Sequence, residues 1–201
     1  MQEGGQAAIG VDFGGASEGS SRVSLRSLSL RDEEEYLGLV RVSLDLHHPW
    51  ISLPGTVEGF RALVGRYDRS DDECLLVRVR ETGAIAGAVH LNSVIRGRFQ
   101  NASIAYAAFA PTVGQGYMSE AMALLIKYAF EELRLHRLDA QIQPGNKDSI
   151  KLVQRYGFRM EGLSPDLLFI DGAWRDHERW AITADMAGVS PASPHPTLPA
   201  H

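Results

Sequence analysis

Short segments of the chain alternate hydrophobic and polar residues, a pattern typical of strands that bury one face. The first alternating segment runs from Val23 to Leu28. Apolar runs bounded by turn residues predict further strands at 74–80, 84–92, 102–109 and 138–142, and near 158–161, 167–170 and 180–183. Short turns separate the strands at 74–80, 84–92 and 102–109, so we expect these three to form an antiparallel meander.

Other segments place apolar residues three and four positions apart, which predicts amphipathic helices. The most regular helix is predicted at 118–135, where one face carries Met118, Ala121, Met122, Leu125, Ala129, Phe130 and Leu133. Further helices are predicted at about 32–46, from Thr56 onward, and at 147–156. This order of elements predicts an α/β fold in which helices cover a mixed sheet.

Both ends of the chain lack this periodicity. Residues 1–21 are rich in Gly, Ala and Ser, and residues 187–201 repeat Pro, Ser and His. Such segments bury too little surface to offset the entropy that ordering costs. We therefore expect two disordered tails around a single domain at 22–186.

Composition excludes several classes of function. The chain has 201 residues and a formal net charge of -5 at pH 7, so nucleic acid is not an expected partner, because phosphate contacts need clustered Lys and Arg. The single cysteine, Cys74, excludes an intrachain disulfide and a Cys-based zinc site. No apolar stretch approaches the roughly 18 residues of a membrane span, and no signal peptide is recognisable, so we expect no membrane partner and a cytoplasmic location.

A candidate anion site lies between the strand at 102–109 and the helix at 118–135. The junction places Gly114 and Gly116 just before the helix, followed by Ser119. Free N–H groups and the helix dipole favour a phosphate there, and glycine lets the backbone approach it closely. The junction lacks the third glycine of a dinucleotide fingerprint and the lysine of a Walker loop. Taken alone, it is explained equally well as an ordinary strand-to-helix turn.

A second segment supplies the context that the glycines lack. Asn146-Lys147-Asp148-Ser149 opens a predicted helix, and Gly157-Phe158 ends it. Together with the G-x-G-Y-M-S-E-A pattern at 114–121, these residues make the chain resemble the GNAT acetyltransferase superfamily, over about 23–185. The resemblance is greatest to the RimJ/RimL group of ribosomal-protein N-terminal acetyltransferases. It implies a mostly antiparallel mixed sheet of six to seven strands with a central parallel splay, flanked by about four helices.

The resemblance also implies a cofactor and its contacts. Acetyl-CoA serves as co-substrate in this family, and no metal is expected. The pyrophosphate is held by the glycine loop, and the pantetheine arm lies against the end of the preceding strand. The implied cofactor residues are Ala108, Phe109, Ala110, Val113, Gly114, Gln115, Gly116, Tyr117, Met118, Ser119, Asn146 and Ser149.

Two departures from the family pattern bear on catalysis. Ser103 stands where many relatives carry a glutamate base, and Val153 stands where many carry a tyrosine that protonates the leaving thiolate. By family position, Ser149 is then the best available donor to the thiolate. We assign polarisation of the thioester carbonyl to the backbone N–H of Phe109. His90 is a candidate base, with a hydrogen-bonded core histidine as the competing interpretation.

The missing glutamate bears on the acceptor as well. At pH 7 a lysine with pKa about 10.4 costs roughly 4.6 kcal/mol to deprotonate, whereas an α-amine near 7.8 costs about 1 kcal/mol. A site without that glutamate is therefore better matched to an α-amine or another weakly basic amine, deprotonated through water, a backbone oxygen or a carboxylate of the substrate. Candidate substrate-binding residues lie in two segments, between the first helices and near the last strand: His47, His48, Trp50, Trp174, Asp176 and His177.

Three functions stay open at this point. The first is acetylation of a protein or peptide N-terminal α-amine by direct attack in a ternary complex. The second is acetylation of a small amine such as an antibiotic, polyamine or amino acid. The third is a catalytically silent acyl-CoA-binding module. The sequence also leaves the oligomeric state open between monomer and homodimer.

Overall fold

The computed structural model describes residues 21–68 and 71–189, which form a seven-stranded sheet in the order β1-β2-β3-β4-β5-β7-β6. Every neighbouring pair of strands is antiparallel except β4 and β5, which run parallel. The predicted α/β fold with an antiparallel meander and one central parallel pair is thus confirmed. The strands are β1 (Val23–Ser27), β2 (Glu73–Val79), β3 (Ile85–Ile95), β4 (Asn101–Ala108), β5 (Arg137–Ile142), β6 (Arg159–Ile170) and β7 (Ala173–Thr183).

Five helices accompany the sheet in the described residues: α1 (Glu33–Val42), α2 (Leu44–His47), α3 (Val57–Tyr67), α4 (Tyr117–Lys127) and α5 (Lys147–Arg155). A wider π turn at Tyr128–Glu132 extends α4, so the helix expected at 118–135 is present in two parts. None of these helices is long and apolar enough to span a membrane. Most of residues 1–21 and 187–201, expected to be tails, lie outside the described residues.

Two differences from the predicted elements have local causes. The helix expected at 32–46 divides at Ser43, whose buried hydroxyl accepts the N–H of Ala110 at 2.9 Å. The two short strands expected near 158–161 and 167–170 are a single edge strand, β6. Most β6 side chains are at least partly exposed, so the strand shows no buried and exposed alternation that a sequence pattern could reveal.

Helices cover both faces of the sheet. On one face, α1 and α3 pack on β2 and β3 through residues such as Tyr36, Phe60 and Leu76. On the other, α4 and α5 pack through Leu125 and Val153. The lone cysteine expected in a strand, Cys74, is buried in the first of these clusters, and burial raises the pKa of its thiol.

The parallel pair opens along its length. Strands β4 and β5 pair from Asn101 opposite Arg137 as far as Ile104 opposite Ala140. Beyond this point β4 stays with β3 as far as Ala108, while β5 stays with β7 as far as Ile142. The two strands therefore diverge and leave a gap in the middle of the sheet, the splay that the family resemblance implied.

Candidate active site

The loop before α4 presents a row of unused donors. Gly114 and Gly116 have φ of 81° and 83°, a backbone conformation that favours glycine. The five backbone N–H groups from Gly114 to Met118 donate to no atom of the described residues. The last two also lie in the first turn of α4, at the positive end of its dipole. The loop is therefore a preformed anion site.

Arg22 holds the loop from outside. Its guanidinium donates to the carbonyl of Gln115 at 2.9 Å and to Glu120 Oε1 at 2.7 Å, and its backbone N–H donates to Glu120 Oε2 at 2.6 Å. Burial raises the pKa of Glu120, but the hydrogen bonds from Arg22 and Ser21 and the charge of Arg22 outweigh it and lower the pKa overall. An ionised Glu120 thus fixes Arg22 against the loop.

Helix α5 forms the facing wall. Asn146 caps this helix, its side chain accepting the N–H of Ser149 at 3.2 Å. Near the other end of α5, Arg155 donates to Ser119 Oγ at 3.1 Å, and the hydroxyl of Tyr156 donates to the carbonyl of Ser119. These contacts join the start of α4 to α5 and place a cation beside the loop.

A cleft of about 530 Å³ lies between the loop and α5, and we call it the coenzyme cleft. Its lining includes nine of the residues that the resemblance implied: Ala108, Val113, Gly114, Gly116, Tyr117, Met118, Ser119, Asn146 and Ser149. Phe109, Ala110 and Gln115 do not line it. Met118 packs where Gly87 has no side chain, since a Cβ there would lie 2.5 Å from the Met118 sulfur.

A second, smaller cavity of about 80 Å³ lies at the gap between β4 and β5, and we call it the acceptor cavity. It is lined by Ile104, Ala105, Ala140, Gln141, Ile142, Gln143 and His177, together with five residues that also line the coenzyme cleft. The shared residues are Trp50, Ile51, Tyr106, Asn146 and Ser149. The two spaces therefore adjoin.

Tyr106 is a site residue that sequence reasoning missed. It projects from β4 into both cavities, and its hydroxyl donates to the carbonyl of Ser149 at 3.3 Å. Burial raises its pKa to about 12, so the phenol is neutral at physiological pH. The strand pattern carried no signal for this residue, because an aromatic on a strand is as often part of the core.

The assignment of the oxyanion donor to Phe109 is corrected by the structure. Phe109 is fully buried, and its N–H donates to the carbonyl of Ala86 at 2.9 Å. Backbone groups alternate in direction along an antiparallel strand, so those of Tyr106 and Ala108 turn away from β3. The N–H groups that face the gap are therefore those of Tyr106 and Ala108.

Comparison with known proteins assigns the family. Residues 22–159 match the family described as acetyltransferase (GNAT) domain. The chain belongs to this family. The GNAT chain is 32% identical over 168 residues to probable N-acetyltransferase YjcK of Bacillus subtilis (strain 168), covering 80% of this chain and 93% of that protein.

Two further relatives place this GNAT protein beside the RimJ/RimL group. Over 99 residues it is 38% identical to the [ribosomal protein uS5]-alanine N-acetyltransferase of Escherichia coli (strain K12), covering 49% of this chain and 51% of that protein. The solved structure of Mycobacterium smegmatis RimJ in complex with CoA-disulfide has a TM-score of 0.75 and 27% identity, covering 84% of this chain and 85% of that one. The protein is thus an acetyl-CoA-dependent N-acetyltransferase, and the expected resemblance is confirmed.

The segment between α2 and α3 contributes to both spaces of the GNAT site. Trp50 lines both of them, and His47 lines the coenzyme cleft with its Nε2 2.8 Å from the carbonyl of Ala108. His48 lines neither and is mostly exposed, with Nδ1 2.9 Å from a carboxylate oxygen of Asp171. His47 therefore supports the end of β4, and His48 joins this segment to the β6–β7 turn.

Of the candidates near the last strand, the structure brings only His177 to the site. His177 is buried and lines the acceptor cavity. Trp174 is exposed and packs edge-on against Phe169, and Asp176 accepts the N–H of Asp166 at 2.9 Å. Neither Trp174 nor Asp176 lines either cavity.

The remaining candidate, His90, lies away from the gap. His90 is buried with Nδ1 2.7 Å from the hydroxyl of Tyr67, and it lines neither cavity, as expected of the core interpretation. Desolvation lowers the pKa of His90 to about 4. Ser103, in the position of the family glutamate, donates to Gln141 Oε1 at 2.7 Å. Within the described residues, no three His, Cys, Asp or Glu side chains converge as metal ligands do.

Proposed function

We propose that this acetyltransferase transfers the acetyl group of acetyl-CoA to the α-amine at the N-terminus of a peptide or protein, in a ternary complex. The observation that carries the proposal is the lining of the acceptor cavity. Among the described residues that line it, none is an Asp or a Glu, although the cavity lies where β4 and β5 diverge and adjoins the coenzyme cleft.

The coenzyme cleft fits acetyl-CoA. The five free N–H groups from Gly114 to Met118 suit the pyrophosphate, and Arg155 adds a positive charge beside them. The backbone groups of Tyr106 and Ala108 that face the gap suit the amides of the pantetheine arm. Bound there, the coenzyme supplies an activated thioester, and the protein supplies its position and the donors around it.

Ser149 and the strand backbone are the proposed catalytic groups on the coenzyme side. No described residue occupies the hydroxyl of Ser149, while its N–H is held by Asn146 and its carbonyl by Tyr106. That hydroxyl is placed to give a proton to the departing thiolate. The N–H of Tyr106 or Ala108 takes the carbonyl-polarising role that sequence reasoning gave to Phe109, because developing negative charge is stabilised by fixed donors.

The charge of the acceptor cavity favours an α-amine over a polyamine. A polycationic substrate needs carboxylates to replace its water of hydration, and the acceptor cavity contributes none. An α-amine with a pKa near 7.8 is still mostly protonated at pH 7, but it costs only about 1 kcal/mol to neutralise and therefore needs less charge compensation than a lysine or a polyamine. The relative that acts on the alanine of ribosomal protein uS5 supports the same class of acceptor.

The test is a panel of amines with acetyl-CoA, read out as released CoA thiol and by mass spectrometry. The panel contains an alanine-initiated peptide, the same peptide with a blocked N-terminus and an internal lysine, spermidine and an aminoglycoside. We expect kcat/KM for the free N-terminus to exceed that for the lysine by about 100-fold, because the lysine costs more to deprotonate. A preference for spermidine or the aminoglycoside contradicts the proposal in favour of a small amine. Calorimetric binding of acetyl-CoA without turnover on any amine indicates a silent module.

A further inference from the structure

One titratable group of the acceptor cavity has no role so far. His177 is 2% exposed, and its Nδ1 lies 2.8 Å from the carbonyl oxygen of Arg175. Because a carbonyl can only accept, Nδ1 carries the hydrogen of the neutral ring. Nε2 then carries a lone pair and can accept a proton.

This nitrogen is free and reaches open space. No described residue bonds Nε2 of His177, yet it is not among the buried polar atoms that are sealed without a partner. Nε2 of His90, by contrast, is sealed inside the protein. The space that His177 lines is the acceptor cavity, so its lone pair is available where an amine has to bind.

The strand that pairs with β7 is irregular beside His177. The register of β6 and β7 passes from Ser164 opposite His177 to Leu168 opposite Arg175, so β6 carries two extra residues there. Such bulges redirect a side chain and are frequent beside active sites. The N–H of Asp166 within the bulge is fixed by Asp176 at 2.9 Å. The neighbour of His177 thus has a structural role.

Among the described side chains that line the acceptor cavity, that of His177 carries the only basic nitrogen. Ser103 donates to Gln141, which leaves a serine hydroxyl in place of the family base. Glu178 follows His177 on β7, so its side chain points to the opposite face, where it accepts the indole N–H of Trp180 at 2.9 Å. Asp148, on the coenzyme cleft, is fully exposed beside Lys151.

Tyr106 and Arg175 are titratable or charged side chains near His177. Tyr106 is the other titratable group of the acceptor cavity, and its buried phenol is neutral at physiological pH. Arg175 lies two residues from His177 and therefore on the same face of β7. A positively charged side chain therefore shares the face of β7 that carries His177.

We propose that Nε2 of His177 accepts the proton of the attacking amine. The lone pair of the amine nitrogen forms the C–N bond to the acetyl carbon, and the proton lost by that nitrogen passes to Nε2. The C–S bond breaks with its electron pair on sulfur, which takes one proton from the Ser149 hydroxyl. The serine regains a proton from solvent, and the imidazolium releases one to solvent. The proton count of the transfer is thus balanced. This assignment rests on the proposed function of the same site.

The test uses His177→Gln and His177→Ala in the full-length protein with the best acceptor of the amine panel. We expect kcat to fall at least about 100-fold in both, with acetyl-CoA affinity unchanged within twofold. Wild-type kcat should fall tenfold per pH unit on the acid side, because an imidazolium cannot accept a proton, and this limb should be absent in His177→Gln. Added imidazole should restore part of the activity of His177→Ala, a result that a structural role does not produce.

His136→Gln, the same change at an exposed histidine outside both cavities, is the matched control and should keep wild-type kcat. If His177→Gln keeps kcat within threefold and retains the acid limb, the assignment is wrong. If the variants do not fold, the pH dependence of wild-type kcat is compared between two peptides whose α-amines differ in pKa. An acid limb that shifts with the pKa of the α-amine overturns the assignment. If the best acceptor is a small amine, the proposed function fails while His177 is judged on that amine. Turnover with no amine defeats both.

Discussion

The two ends of the catalytic cleft are built in different ways. At the coenzyme end, the groups that we propose to contact the ligand are mostly backbone N–H groups of one continuous segment, Gly114 to Met118. At the acceptor end, they are side chains from four distant segments: Trp50, Tyr106, Ser149 and His177. A local motif can encode the first kind of site. The second exists only after the sheet has formed.

Because of this difference, side-chain substitutions affect the two ends of the cleft to different extents. Backbone donors are independent of most side-chain substitutions, so the coenzyme end needs only the glycine conformations and the start of α4. The acceptor end depends on which side chain each segment carries. Ser103 and Val153 show this, since two proton-transfer positions of the family hold other residues while the glycine loop is kept. We infer that the side chains at the acceptor end can change while the binding of the coenzyme stays the same.

The sharpest test of this separation is Ser149→Ala, at the border of the two cavities. We expect kcat to fall about 100-fold, because the thiolate loses its nearest proton donor, while acetyl-CoA affinity stays within twofold. The measurements are steady-state kinetics on the best acceptor and calorimetric titration with acetyl-CoA.

Ser27→Ala, on the edge strand β1 outside both cavities, is the matched control and should behave as wild type. A kcat for Ser149→Ala within threefold of wild type would show that another group, with the Tyr106 phenol as the nearest, protonates the thiolate. Ser149 would then contribute only to the binding of the coenzyme.

The next test addresses the coenzyme end through two glycines of equal geometry. Gly114 and Gly157 have φ of 81° and 80°, and a Cβ on either would meet no atom within 4 Å. Alanine at each costs about 1–2 kcal/mol of backbone strain. Because only Gly114 lies in the coenzyme cleft, we expect Gly114→Ala to weaken acetyl-CoA binding about tenfold. Gly157→Ala should lower Tm and leave affinity within twofold.

Calorimetric affinity and thermal unfolding of both variants measure this. Equal losses of affinity in the two variants would mean that the strain acts through the whole α4–α5 packing. The loop would then not be a separable binding element, and the contrast between the two ends would fail.

The sequence predicted the local parts of this structure best. The glycine loop and the capping Asn146 were predicted to belong to the site, and residues of both line the coenzyme cleft, because each is defined by neighbours within a few residues. Strands β2 to β4 were predicted to within three residues at their ends, since each has a buried face. The parallel splay came from the family resemblance rather than from any pattern in the residues.

The parts that failed depend on pairing. The N–H of Phe109 bonds the β3 side, so the N–H of Ala108 faces the gap. The hydrophobic pattern does not predict which residues of a strand bond to which neighbour. The sequence does not distinguish three neighbours on β7, Trp174, Asp176 and His177. Of these three, only His177 lines the acceptor cavity. The tautomer that exposes its lone pair depends on a backbone carbonyl that no sequence pattern reveals.

The smallest expected effect concerns the paired end of β4 and β5, which contrasts with their open end. There Arg137 donates to Asp139 and makes two hydrogen bonds to Glu161, at 3.1 and 2.5 Å. Hydrogen bonds from Arg137 and then Arg159 lower the pKa of Glu161 to about 2. A lowered folded-state pKa gives stability that is present above the ordinary value near 4.5 and is lost as the pH falls toward 2.

Glu161→Gln should therefore lower Tm by about 2–3 °C at pH 7, an amount typical of a solvent-screened ion pair. The Tm difference from wild type should close between pH 4.5 and 2, because the wild-type carboxylate is then protonated. Differential scanning calorimetry of both proteins across this range isolates Glu161, since the other carboxylates titrate in both. A Tm difference that stays constant across this pH range would mean that the glutamine destabilises the protein through its geometry and not through the loss of charge. Acetyl-CoA affinity at pH 7 should not change, because Glu161 lies at the paired end of β4 and β5 and lines neither cavity.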